Sequence, residues 1–458
     1  MSPGRWLQPD ALVWEGRLVR GPALQLSADG RCLGLGTPQP ETPVEWLRGK
    51  LLLPGLVNAH SHAFQRLIRG RTQVRAAGRD SDDFWSWREA MYAVASTLDP
   101  EDLAVASRQC FIEMALAGIT SVGEFHYLHH APDGWPYDDP LELALRVIGA
   151  AREVGLRIAL LRVGYARPGF RAPEAPRQRR FYDRDADAFL AAAEALAARV
   201  RSDNKVTVGV APHSVRAVPR PWLQAVAAAH PSVVHMHVAE QPLEVEACLA
   251  EHGRRPVELL AELGLLDERF TAVHAVHVLP SEVQLLHLSN VCACPTTERD
   301  LGDGVVRADA LTQAGATLCI GTDSQAVIEP FEELRALEGN LRLAQGRRLV
   351  LPSEPGIPDG LAGLLLQAAT VGGARSLGLE VGLLAPGRRA DLCALDLGHP
   401  SLVGAGDDAL LASVVFGAPA GAVSDSWVDG VRVVRDGHHP LQERTAGDFE
   451  ALARRTFA

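Results

Sequence analysis

Two histidines one residue apart, His60 and His62, stand at the end of an apolar run in VNAHSHAFQR. Alternate side chains of an extended chain share a face, so the two imidazoles point the same way. Two ring nitrogens on one face suit a metal ion. A polar loop start would use the same residues, and the motif alone does not separate the two. Other polar groups occupy corresponding places, each just past an apolar run: Glu124, His126 and Tyr127 in SVGEFHYLHH, His213 and Arg216 in APHSVR, His237 and Glu240 in VHMHVAEQ, His274 in AVHAVH, and Asp323 in IGTDS. So many histidines and carboxylates at the ends of successive apolar runs are hard to explain as packing. Three histidines and an aspartate are a common zinc donor set, with water completing the shell. Such a metal lowers the pKa of its water toward about 7.

The elements that must position these groups read as alternating strands and helices. Candidate strands are Leu53–Val57, Ile119–Gly123, Leu156–Leu161, Val206–Val210, Val233–His237, Phe270–His274, Val291–Cys294 and Ala316–Gly321. Between them lie Ala/Leu-rich stretches such as DADAFLAAAEALAARVR and PFEELRALEGNLRLAQ. Eight strands with crossover helices predict a (β/α)₈ TIM barrel, with its chemistry at the C-terminal strand ends. Short strands and turns fill residues 1–52 and recur from 385 to 458. They predict a small composite β-sandwich domain built from both chain ends, with residues 53–384 forming the barrel. The segment RPGFRAPEAPRQRRFYDRDADAF reads as a long insertion or lid after the third strand, and FWSWREAMY as a second long loop or lid.

Composition narrows the class. The chain of 458 residues has 45 Lys+Arg against 56 Asp+Glu, a net charge of −11, without the basic face of a nucleic-acid binder. Arginine carries almost all the positive charge, lysine occurring only at Lys50 and Lys205. The start of the chain lacks a signal-peptide pattern, and no apolar run reaches the roughly 18 residues of a membrane span. Seven scattered cysteines, none in a CxxC pair, argue against a disulfide framework or a zinc ribbon. A reduced, cytoplasmic protein without membrane or nucleic-acid partners is expected.

The motifs LLLPGLVNAHSH, HVAEQ, HAVH and IGTDS, with GLLAPGRRADLCALDL near the end, resemble the amidohydrolase superfamily over nearly the whole chain. The resemblance implies metal ligands His60, His62, His237 and Asp323, with His274 beside the metal. Some members bridge two metals with a carboxylated lysine. Here Lys50 precedes the first strand and Lys205 opens the fourth at the wrong end, which favours a mononuclear, deaminase-like site. That branch carries His-x-x-Glu after the fifth strand, matching His237 and Glu240. Finer motifs, NAHSHAFQR, GEFHYLHH, APHSVRAV, CPTTERDLGDG and FWSWREAMY, resemble the N-formimino-L-glutamate deiminases of histidine degradation.

In that family the residues matching Gln65, Arg88, Tyr127, His213 and Arg216 hold the substrate. His274 and Asp323 would deprotonate the attacking water, and Glu240 would pass a proton to the leaving nitrogen. The expectation is one divalent metal per subunit, zinc, a small dianionic substrate held by arginines, and a homodimer. The family's form SDSH is TDSQ here, which puts the role of Gln325 in doubt.

Blander readings compete at several positions. His235 fits a packed or hydrogen-bonded place deeper in the barrel, and His277 a structural one. His126, His129 and His130 fit solvated or capping roles, since the ligand set is already full. Cys292, Cys294 and Cys319 read as small core residues. A deaminase of a ring substrate such as guanine or a related purine remains an alternative, as does an amide or cyclic-amide hydrolase with the same metal. A ring deaminase would want an aromatic stacking partner more than two arginines. A non-catalytic scaffold would have lost metal ligands, and none is missing.

Overall fold

The computed structural model describes residues 5–74, 82–172, 175–352 and 359–458. Eight strands, Leu56–Ser61, Ile119–His126, Arg157–Gly164, Val206–Pro212, Val234–Val238, Phe270–His274, Asn290–Ala293 and Thr317–Ile320, pair in chain order and in parallel. We number them barrel strands 1 to 8. Barrel strands 2 and 3 are buried along their whole length, as expected of parallel strands covered on both faces. The ring closes through a single parallel bridge, Ser61 to Asp323. Two backbone hydrogen bonds of 3.0 Å reinforce it, from the Asp323 amide to the His60 carbonyl and from the His62 amide to the Asp323 carbonyl. Close approach at this seam requires Gly321, where a Cβ would lie 2.7 Å from both the Cβ and the carbonyl oxygen of His60.

The first barrel strand differs from its sequence expectation. Leu53 and Pro54 end a strand of the smaller sheet, Val44–Pro54, which pairs antiparallel with Leu392–Asp396. The barrel strand starts two residues later, after Gly55, whose absent side chain lets the chain pass Thr120; a Cβ there would be 2.2 Å from its Oγ1. The unbroken apolar run across Leu51–Val57 hides a passage between two sheets. The smaller sheet has eight strands in mixed orientation, drawn from Arg5–Pro54 and Leu392–Val434. Leu7, Leu12, Leu24, Leu52, Leu392 and Trp427 are fully buried in its core. The final helix, Gln442–Thr456, lies on barrel helix Pro100–Leu116, where Arg455 pairs with Asp102.

The two predicted lids have definite structure. FWSWREAMY forms a helix, Phe84–Ala95, rather than a loop. Asp83 caps it by accepting from the Trp85 and Ser86 amides, both at 3.0 Å, and Ser86 closes a capping box. In the insertion after barrel strand 3, Pro173 and Glu174 lie outside the described residues. The part that follows includes a 3₁₀ turn, Pro176–Phe181. Its buried Arg180 donates to the carbonyls of Leu98 (3.0 Å) and His130 (3.1 Å), and to that of Ala95 at the end of the capped helix. The insertion therefore anchors the helix that carries Arg88.

The two sheets are joined beneath the barrel by a buried ion network. Arg157, at the start of barrel strand 3, donates to both carboxylate oxygens of Asp391 (2.9 and 3.2 Å) and to Asp429 (2.8 Å). Removing one partner of a buried pair typically costs about 3–5 kcal/mol, because the remaining charge is stranded. Arg157→Met should lower unfolding stability by that order in urea denaturation while leaving cation content unchanged. A loss below about 1 kcal/mol would show that the junction does not depend on this network.

Candidate metal centre and active site

The C-terminal ends of the barrel strands carry the centre. His60 ends up within barrel strand 1 and His62 just past it, His237 lies in barrel strand 5, and Asp323 follows barrel strand 8. One donor atom from each falls within 4.8 Å of the others, and all four residues are buried. Asp323 Oδ1 lies 3.5 Å from His60 Nε2 and 3.3 Å from His62 Nε2, while His237 Nε2 lies 3.2 Å from His60 Nε2.

The surrounding backbone sets the tautomers. His62 Nδ1 donates to the Phe125 carbonyl and His237 Nδ1 to the His213 carbonyl, each at 3.0 Å. Their Nε2 lone pairs therefore face the cluster, an arrangement typical of metal-ligating histidines. Burial pulls His60 down to about 3 and lowers His62 and His237 as well, which keeps the rings neutral. Burial alone would raise Asp323, but His60, His274 and His62 around it hold it below the usual carboxylate range. Neutral imidazoles and an ionised carboxylate are the forms that bind a cation. Lone pairs converging at 3.2 Å with few protons between them are reconciled by a positive charge among them, so these four residues fit a metal.

The opposite side of Asp323 faces a second set of groups. His274 Nε2 lies 3.6 Å from Asp323 Oδ2 and 3.6 Å from Glu240 Oε1. Glu298 accepts from His274 Nδ1 (3.3 Å) and from the Cys294 amide (2.8 Å), which fixes the ring. Burial disfavours a charged His274, but Glu240, Glu298 and Asp323 overcome it and raise the ring to about 10. Burial raises Glu240 above its ordinary value against the pull of His274 and Arg216. His274 and Asp323 have positive φ, 71° and 45°, as does Ala239 beside Glu240, at 50°. Such backbone costs on the order of 1–3 kcal/mol per residue and tends to gather at functional sites.

A pocket opens over these groups, lined among others by Gln65, Arg88, Tyr127, His213, Arg216 and Glu240. Gln65 Nε2 donates to the Tyr127 hydroxyl at 2.9 Å. His213 packs edge-on against Tyr165, ring centres 4.7 Å apart, besides holding His237 through its carbonyl. The guanidinium groups of Arg88 and Arg216 have buried nitrogens, Nε and Nη1, without a hydrogen-bond partner among the described residues. The Trp85 ring lies under both, 4.5 Å from Arg88 and 5.5 Å from Arg216.

Similarity to known proteins agrees with this geometry. A profile described as the amidohydrolase family matches residues 51–433. The chain belongs to the amidohydrolase family. A formimidoylglutamate deiminase of Pseudomonas aeruginosa is 41% identical over 446 residues, 96% of each chain. An 8-oxoguanine deaminase of the same species is 32% identical, covering 83% of each. The crystal structure of an amidohydrolase from Brucella melitensis superposes with a TM-score of 0.90 at 34% identity, covering 99% of this chain and 100% of that one.

Several residues of this amidohydrolase stand away from the cluster. His235 donates Nε2 to the Ser376 carbonyl (2.8 Å) deeper in the molecule. His130 Nε2 donates to the Tyr182 carbonyl (2.9 Å), and His129 Nε2 lies between the Val163 carbonyl (2.9 Å) and Arg162 Nη1 (2.6 Å). His126 is buried and pulled down to about 3 by that burial. Lys50 faces Asp396 in the small sheet at 3.9 Å, far from a bridging position. The seven cysteines are free and buried, and Cys292, Cys294 and Cys319 pack together with Ala59 and Val273.

Sequence reasoning missed a hydrogen-bonded chain beneath the ligands. Gln325 donates to the Asp323 carbonyl (2.8 Å) and to Ser61 Oγ (3.0 Å), and accepts from Thr322 Oγ1 (2.8 Å). Ser61 in turn donates to Glu124 (2.6 Å), which burial pushes up to about 8. Gln325 thus has a structural place at the seam. Glu298, Tyr92 and Tyr165 were also missed, although the first lies within the quoted motif CPTTERDLGDG and its position past a strand end was a usable signal.

The amidohydrolase should retain about one tightly held divalent cation per subunit after gel filtration, as read by elemental analysis. His62→Ala and Asp323→Ala should each lose it. A protein that keeps a full equivalent after either change would place the cation elsewhere.

Proposed function

We propose that the chain hydrolyses N-formimino-L-glutamate to N-formyl-L-glutamate and ammonia, a step of histidine degradation, with zinc as its cation. One observation carries the reading: two guanidinium groups, whose buried Nε and Nη1 atoms find no hydrogen-bond partner among the described residues, share a pocket with the ligand cluster. A guanidinium matches a carboxylate in bidentate geometry, and this substrate has two carboxylates. The Pseudomonas deiminase at 41% identity supports the same choice. Aromatic rings also line the pocket, as a purine deaminase would require. Trp85, outside that lining, lies beneath both guanidinium groups and supports the charges that read carboxylates. Zinc suits three imidazoles and one carboxylate.

Bound by His60, His62, His237 and Asp323, the cation supplies Lewis acidity and an acidified water. Arg88 and Arg216 hold the glutamate part, so its binding energy positions the formimino carbon. Gln65 and Tyr127 offer neutral hydrogen bonds at the pocket wall. His274 Nε2 and Asp323 Oδ2 face the same space and take the proton of the attacking water. Glu240, at 3.6 Å from His274, carries a proton to the departing nitrogen. The C–N bond to the terminal nitrogen breaks, water's oxygen stays on carbon as the formyl group, and ammonia leaves. Burial raises Glu240 above its ordinary value against the pull of His274 and Arg216, the direction a general acid needs.

Glu240→Gln should keep the cation and fold while kcat falls by about 10²–10⁴. Near-normal turnover would remove the proton-carrying role. Arg216→Met should cost roughly 1.5–3 kcal/mol, about one to two decades in kcat/KM, with cation content unchanged. The loss should shrink on an analogue lacking the contacted carboxylate. Equal discrimination by parent and variant would mean that Arg216 does not read that carboxylate.

A further inference from the structure

We propose that His274, Cys294 and Asp323 form a second, inhibitory cation site that takes a thiophilic divalent ion such as Zn²⁺ or Cd²⁺ in excess. One donor atom from each falls within 4.8 Å of the others, and all three residues are buried. The two oxygens of Asp323 face different partners. Oδ1 lies toward His60 and His62, at 3.5 and 3.3 Å, whereas Oδ2 lies toward His274 Nε2, at 3.6 Å. A carboxylate oriented this way can bridge two cations, as in two-metal sites.

The second set has suitable chemistry and spacing. Imidazole, thiolate and carboxylate are the usual zinc donors, at 2.0–2.3 Å, which puts neighbouring donors roughly 3.3–3.8 Å apart. The His274–Asp323 separation of 3.6 Å falls in that range. His274 Nε2 is buried without a hydrogen-bond partner among the described residues. Glu298 engages His274 Nδ1, which turns Nε2 toward Asp323, and also holds the Cys294 main chain beside that ring.

Two features make the site weak and selective. A cation there sits beside one already bound, and the two repel. It must also displace the Cys294 proton to solvent, from a thiol that burial holds well above its ordinary value. The sulfur ligand favours soft ions over Mg²⁺. Occupation removes His274 and Asp323 Oδ2 from proton transfer, so filling the site stops turnover. The inhibitory consequence rests on the proposed deimination; the binding does not.

The test titrates protein already carrying one cation per subunit with Cd²⁺, without substrate. A second equivalent should bind with a thiolate-to-cadmium charge-transfer band in the ultraviolet. Exchange into the first group gives no such band, since that group has no sulfur. Cys294→Ser and Cys294→Ala should abolish the band and weaken Zn²⁺ inhibition of deimination at least tenfold, while Mg²⁺ should neither bind nor inhibit the parent. Absence of a second equivalent in the parent overturns the proposal without any variant, as does a band that persists in folded Cys294→Ser. If the band appears and depends on Cys294 but formiminoglutamate is not turned over, the functional reading fails and the cation site stands.

Discussion

The seam between barrel strands 8 and 1 is the constraint on which the site depends. A parallel barrel closes only if its last strand meets its first, and here the meeting is one bridge and two backbone hydrogen bonds. All of them involve Asp323, His60, Ser61 or His62. The main chain that closes the barrel therefore belongs to the residues whose side chains face the cation position. Closing the ring and assembling three of the four donors are one event. Gly321 permits the approach, and Gln325 fastens it by bonding the Asp323 carbonyl and Ser61 at once. A glutamine amide has two donors and an acceptor to spend, and this one spends all three inside the seam.

The remaining donor, His237, is held by different means. Its strand lies across the barrel, and its ring is oriented by the His213 carbonyl from the neighbouring strand end. His213 in turn packs on Tyr165 after barrel strand 3. The pocket and the donor cluster are thus coupled through one residue, whose carbonyl holds the far side of the His237 ring and whose own ring lines the pocket. The pocket's far wall is the helix Phe84–Ala95, which is not part of the barrel repeat and is pinned by Arg180. That helix carries Arg88, so the charge on that side sits on a separate element, while Arg216 rides on the barrel rim.

Much of this arrangement was legible in the sequence because it follows a strict periodicity. Seven of the eight barrel strands overlap their expected ranges closely, and the chemically active residues fall where strand ends should. The exception, at Leu53–Val57, fails for a physical reason: apolar residues entering one buried sheet and leaving another look alike, and only Gly55 marks the passage. The helix bearing Arg88 was hidden because its cap, Asp83, follows other acidic residues in a stretch rich in aromatics with little helical pattern. Least legible were contacts between distant segments. Nothing near Gln325 announces Ser61, and nothing near Glu298 announces that it would hold His274. Such pairings exist only once the barrel has closed.

The distribution of charge across Asp323 gives the site its division of labour. On one side burial keeps three histidines neutral, which suits ligands. On the other, a histidine of the same type is raised by Glu240, Glu298 and Asp323, which suits a group that exchanges protons. The residue types do not differ; their neighbours do. His62 and His237 give their Nδ1 protons to backbone carbonyls, which carry only a partial charge, whereas His274 gives its own to a carboxylate. A full negative charge raises a ring's proton affinity far more than a carbonyl dipole does. The choice of hydrogen-bond acceptor behind each ring therefore sets His62 and His237 apart from His274, and a cation among the three neutral rings would oppose the rise at His274.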